Sequence, residues 1–128
     1  MSLKSQLRVL VVDDMSTSRG LLTQALDEIG VKNYRVENEG ETAWRSLASQ
    51  PVHLVISDFN MPKMDGLQLL EAIRSHKEIA RTGFILVTGR ADKEVIDRGA
   101  KLGMNNYLKK PFETKDLKAC IEKVVGRL

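Results

Sequence analysis

At 128 residues, 42% hydrophobic and 29% charged, the chain has the size and balance of one soluble globular domain with a sizeable core, not of a disordered or membrane-embedded protein. Lys and Arg total 20 against 17 Asp and Glu, a net +3, and the two signs are interspersed, so the charge gives little support to nucleic-acid binding. A single cysteine, Cys120, leaves no intramolecular disulfide and suits a reducing, cytoplasmic compartment. The N-terminal apolar stretch is too short for a signal peptide, is broken by Arg8 and runs into acids. No stretch approaches a transmembrane length.

The first predicted element is a strand from Arg8 to Val12, which ends in two adjacent carboxylates, Asp13 and Asp14. From Ser16 onward Leu21, Leu22, Ala25, Leu26 and Ile29 recur at helical spacing, and Gly30 stops the helix. A strand near Tyr34–Glu37 and a short helix carrying Ala43, Trp44 and Leu47 follow. His53–Ser57 reads as the third strand, leading into a turn-rich loop, "DFNMPKMDG". A helix over Leu67–Ser75, a strand over Gly83–Thr88, a helix over Lys93–Leu102 and a strand over Asn106–Lys109 come next. The last helix begins near Thr114, with Leu117, Cys120, Ile121, Val124 and Val125 on one face. Five strands alternating with five helices predict a parallel α/β sheet covered on both sides. The continuous apolar strands agree, because a strand buried on both faces need not alternate.

Ligands of open parallel sheets bind beyond the carboxyl ends of the strands. Asp13 and Asp14, Asp58, Thr88 and Lys109-Lys110 end four different strands, so three acids, a hydroxyl and an ammonium are expected on one rim. Two carboxylates ~4 Å apart repel by about 4 kcal/mol at an effective dielectric of 20, which calls for a cation. Hard oxygen donors favour Mg²⁺, which needs few carboxylates because it keeps several waters. A metal, a lysine and a threonine hydroxyl together suit a dianionic phosphoryl group. One carboxylate could then act as nucleophile, and spacing alone leaves open which of the three it is.

The stretches "VVDD", "SDFNMPKMDGLQLLEAIR", "LVTGRA" and "YLKKPF" resemble the receiver domain of two-component response regulators. The likeness covers the whole chain and is strongest to stand-alone chemotaxis receivers. It implies a flavodoxin-like doubly wound sheet, with the strand order 2-1-3-4-5 known for that fold. Asp58 would be the phosphoryl acceptor. Asp14, Asp58 and the carbonyl of Asn60 would ligate Mg²⁺ directly, and Asp13 through water. Thr88 would bond a phosphoryl oxygen, Lys110 would pair with the phosphoryl group, and Tyr107 would be an aromatic switch that moves inward with Thr88. The Lys110–Pro111 bond is expected to be cis.

Two departures from the familiar chemotaxis pattern stand beside the acceptor. Phe59 replaces a tryptophan, and Gly89 follows Thr88 where alanine is common. Gly89 is expected to open the pocket slightly, while Asn60 and Arg90 flank its entrance and tune attack by water.

Other residues read more plainly. Asp65-Gly66 is a turn and helix start. His53 and His76 are isolated and do not form a metal site. Cys120 is a buried small hydrophobe, and Trp44 is packing. Lys101, Lys109, Lys115, Lys118 and Lys123 are solvated charges, some rimming the face made by the last two helices and last strand, which would favour an acidic partner segment.

The resemblance implies a single receiver domain with no output domain in residues 1–128. It would be a monomeric signalling switch, inserting in no membrane, that assists its own phosphorylation and autodephosphorylation. A CheA-like histidine kinase would be the donor, a FliM-like flagellar motor switch protein the target, and a phosphatase a further partner. A phosphate sink that binds no motor is the alternative within the class. A haloacid-dehalogenase-like phosphatase would require a second aspartate two residues after the nucleophile, where Asn60 stands. A flavin-binding module would require a glycine- or hydroxyl-rich phosphate loop where Asp13 and Asp14 stand.

Overall fold

The computed structural model describes residues 3–89 and 93–128. Strands β1 (Arg8–Val12), β2 (Asn33–Glu37), β3 (Leu54–Asp58), β4 (Gly83–Thr88) and β5 (Asn106–Lys109) form one parallel sheet in the order β2-β1-β3-β4-β5. Between them run α1 (Leu3–Gln6), α2 (Ser16–Ile29), α3 (Gly40–Ser49), α4 (Gly66–Ser75), α5 (Lys93–Lys101) and α6 (Thr114–Val125).

The expected five helices therefore become six among the described residues. The addition, α1, is a single turn of four residues, too short for a 3.6-residue period to register. Its closing bond runs from Leu7 N–H to Leu3 C=O at 2.9 Å, and Leu7 then enters the core, 2% exposed. Element ends otherwise shift by a residue: β2 begins at Asn33, β3 at Leu54 and α4 at Gly66, and α5 ends at Lys101.

Alternation along each strand divides the core into two layers. Val9 and Val11, Leu54 and Ile56, and Ile85 and Val87 face α2 and α6, where Leu22, Leu26, Leu117 and Ile121 meet them. Leu10, Val12, Val55, Phe84 and Leu86 face the other way, onto Ala43 and Leu47 of α3, Leu70 and Ile73 of α4 and Val95 of α5. Both faces are covered, which is why the central strands are apolar without a break. Trp44 packs against the second layer and meets His76 edge to face, with ring centroids 5.4 Å apart. Cys120 is buried, as expected.

Local signals set the helix ends. Gly30 takes φ +103° and its N–H bonds the Leu26 and Asp27 carbonyls, a left-handed cap that glycine adopts without Cβ strain. Asp65 accepts from Gln68 N–H, and Gln68 Oε1 accepts in return from Asp65 N–H, starting α4 with a capping box. Among the described residues no helix is long and apolar enough to cross a membrane.

From β1 the chain turns outward to β2 and then crosses to β3 on the other flank. That reversal leaves a crevice beyond the carboxyl ends of β1 and β3. The pocket lies there.

Candidate functional site

Asp13 extends β1 by one ladder bond, from its N–H to Glu37 C=O at 3.1 Å. Its side chain is fully buried and accepts from Met15 N–H at 3.0 Å and from Ser18 Oγ at 2.5 Å. Asp14, next in the chain, is exposed. Asp58 is the last residue of β3 and is 6% exposed. One carboxylate oxygen from each of Asp13, Asp14 and Asp58 falls within 4.8 Å of the others.

A cation from the far end of the chain enters this cluster. Lys110 Nζ is 2.8 Å from Asp58 Oδ1 and 3.8 Å from Asp13 Oδ2, and donates to Ser18 Oγ at 2.9 Å. Its backbone is anchored too, by a 2.9 Å bond from Lys110 N–H to Thr88 C=O, and the Lys110–Pro111 bond is cis, as expected. Thr88, 2% exposed, closes β4 and is paired in register with Lys109. Three carboxylates facing one ammonium leave the pocket acidic. Burial raises the Asp58 carboxyl above its usual value, Lys110 pulls it back, and the charges of Asp13 and Asp14 push it up again.

The loop after Asp58 is held closely. Phe59 N–H bonds Val87 C=O and Phe59 C=O accepts from Gly66 N–H, each at 2.9 Å. A Cβ on Gly66 would stand 2.5 Å from the Asp58 carbonyl oxygen, so only glycine lets α4 begin this close to the end of β3. The Phe59 ring packs on the core, and Asn60 is exposed.

Asp13, Asp14, Asp58 and Lys110 thus converge, with Thr88 on the neighbouring strand end. Tyr107 is on β5 and 39% exposed, outside the cluster. Gly89 is exposed, and a Cβ there would meet nothing within 4 Å, so alanine would fit sterically. Arg90 lies outside the described residues. His53 is remote in role, its Nδ1 accepting from Arg8 N–H at the start of β1.

Two pocket residues escape the sequence motifs, Ser18 and Arg19. Arg19 Nη1 donates to the Asp13 carbonyl at 2.7 Å. Both belong to the first turn of α2, and the helix start predicted at Ser16 is the signal that carries them back over the end of β1.

The donor set is hard oxygen throughout, which fits a small divalent cation of the Mg²⁺ type better than a thiolate- or imidazole-seeking metal. A doubly wound α/β domain with an acidic, lysine-bridged crevice at its switch point defines the receiver class. The chain belongs to the response regulator receiver domain family, whose pattern matches residues 9–122. It is 45% identical over 128 residues to a probable chemotaxis protein CheY of Rhizobium etli, covering 100% of this chain and 99% of that protein. The CheY4 chemotaxis protein of Vibrio cholerae superposes with a TM-score of 0.86 at 26% identity, covering 92% of this chain and 98% of that one. The receiver domain of a Pseudomonas aeruginosa sensor histidine kinase, solved with a magnesium ion in its active-site cleft, superposes with a TM-score of 0.82 at 27% identity, covering 94% and 98%. Within the family this is a CheY-like response regulator.

Proposed function

We propose that the chain is a single receiver domain that accepts a phosphoryl group on Asp58 from a kinase phosphohistidine and thereby switches its affinity for a target. The observation that carries this is the contact of Lys110 Nζ with Asp58 Oδ1 at 2.8 Å inside an acidic cluster. A carboxylate of the cluster attacks phosphorus, the P–N bond to the donor imidazole breaks, and the imidazole leaves as the aspartyl phosphate forms. Lys110 offers its ammonium to the phosphoryl oxygens and Thr88 its hydroxyl. Asp14, Asp58 and the Asn60 carbonyl would hold Mg²⁺, with Asp13 behind them. The metal would supply positive charge that offsets both the cluster and the incoming phosphoryl group.

The output follows from population shift, since the phosphorylated pocket favours a conformation the free one rarely visits. Tyr107 is 39% exposed, which leaves it room for an inward movement as Thr88 turns toward the phosphoryl group. The Rhizobium etli and Vibrio cholerae relatives are named as chemotaxis proteins, which supports the flagellar motor switch as the target and the cytoplasm as the compartment. Lys115 and Lys118 are exposed on α6, favouring an acidic partner segment.

Incubation with acetyl phosphate, followed by intact-mass measurement, tests the acceptor. Wild type should gain one phosphoryl group with Mg²⁺ and none with chelator, and Asp58→Asn should gain none; equal labelling of Asp58→Asn would overturn the assignment. Binding of a flagellar switch-protein segment, with and without beryllofluoride, tests the output. Activated protein that binds no segment would act as a phosphate sink.

A further inference from the structure

The pocket holds a hydroxyl that the receiver motifs do not assign. Ser18 Oγ donates to Asp13 Oδ2 at 2.5 Å and accepts from Lys110 Nζ at 2.9 Å. The polarity is fixed, because an ammonium has only protons to give and a carboxylate only lone pairs, so the hydroxyl must link them in this sense. Lys110 otherwise depends on Asp58 Oδ1 at 2.8 Å, with Asp13 Oδ2 more distant at 3.8 Å. A lysine is a point charge on a flexible four-carbon stem, and the side chain of Lys110 is 27% exposed, so water competes for it. On the acceptor reading, Asp58 is also the partner whose charge and shape change when the phosphoryl group arrives. The Ser18 tether does not involve Asp58.

We propose that Ser18 is a positioning residue for phosphoryl transfer: through Asp13 its hydroxyl tethers the Lys110 ammonium where the phosphoryl oxygens come to lie. This rests on Asp58 being the acceptor. Arg19 supports the same arrangement from the next position, holding the Asp13 backbone through its 2.7 Å bond to the carbonyl.

The test compares wild type, Ser18→Ala, Ser18→Thr, Lys110→Ala and the Ser18→Ala/Lys110→Ala double variant, phosphorylated by acetyl phosphate at saturating Mg²⁺. Ser18→Ala should react about three- to tenfold more slowly, the rate equivalent of one hydrogen bond. Ser18→Thr, which keeps the hydroxyl, should return to within about twofold of wild type. In the Lys110→Ala background Ser18→Ala should cost nothing more, because the tether has nothing left to hold. A second readout needs neither metal nor donor: the Lys110 ammonium ¹⁵N resonance should be visible in wild type and Ser18→Thr and broadened by exchange in Ser18→Ala. A wild-type rate in Ser18→Ala, or an equal loss with and without Lys110, would overturn the proposal and leave Ser18 a structural residue of α2. A wild type that takes no phosphoryl group would remove the acceptor reading and this one together, and it would show as identity with Asp58→Asn.

Discussion

Neutralising Asp58 should make the metal-free protein more stable. Asp58→Asn removes a carboxylate that faces two like-charged neighbours, each with an oxygen within 4.8 Å. At an effective dielectric of 20 each such pair costs about 3 kcal/mol, and the share of the exposed Asp14 is reduced by solvent. Against this stands the Lys110 contact at 2.8 Å, which returns about 6 kcal/mol on the same scale. The Coulomb contributions nearly cancel, so the cost of burying a 6% exposed carboxylate decides the sign. The raised Asp58 carboxyl agrees, burial being its largest cause. Lys110 is not orphaned by the change, since Ser18 Oγ at 2.9 Å and Asp13 Oδ2 at 3.8 Å remain. A gain of about 1–3 kcal/mol is expected, or about 3–10 °C in Tm for a domain of this size.

Thermal unfolding of both proteins in chelator at pH 7 measures it. The pH dependence has a definite sign. A carboxyl raised in the native state binds more protons there than in the unfolded chain, so wild type loses stability as pH climbs from the ordinary 3.8 toward the native value. Asp58→Asn lacks that loss. The gap between the two should therefore be small in acid, widen as pH rises through that window, and stay level above it. Mg²⁺ should then narrow the gap by stabilising wild type more. An Asp58→Asn protein that melts at or below wild type in chelator would refute the electrostatic account.

Gly66→Ala would push a methyl group to 2.5 Å from the Asp58 carbonyl oxygen and 2.7 Å from Leu86 Cδ1; a loss of about 1–3 kcal/mol in urea unfolding is expected, and on the proposed function slower phosphorylation, because the end of β3 that carries Asp58 must shift. Burial pushes the Cys120 thiol up to about 11, so native protein should resist a disulfide reagent at pH 8 and react at once in denaturing urea. Asp65→Ala removes the acceptor that caps α4 at Gln68 N–H, and Tm should fall by about 3–5 °C, the equivalent of about 1 kcal/mol.

The sheet was legible because burial on both faces leaves the same mark in each central strand. Val9–Val12, Leu54–Ile56 and Phe84–Val87 are apolar without interruption, and turn residues or helical patterns separate them. The turn α1 and the one-residue shifts at β2, β3 and α4 were not legible, since a single turn or a strand end is fixed by hydrogen bonds rather than by periodicity. Arg74 shows the same limit inside the fold. Its guanidinium donates to the carbonyls of Ala80, Thr82 and Gly103 and to Asn105 Oδ1. Carbonyls carry no sequence signature, so a cation satisfied by three of them leaves none.

The pocket divides along the same line. A parallel sheet sends every strand's carboxyl end to one edge, so Asp13, Asp58, Thr88 and Lys110 could be brought together from strand ends alone, although Asp13 and Lys110 are 97 positions apart. Ser18 arrives by a different route. It joins the pocket only because α2 starts at Ser16, and an α-helix advances about 100° per residue. A start one residue later would turn that hydroxyl off the line between Asp13 and Lys110. Strand ends tolerate an error of one residue and still share an edge, whereas a bridging side chain on a first helical turn does not. The charges of this site were therefore readable from topology, and the hydroxyl that ties two of them together required coordinates.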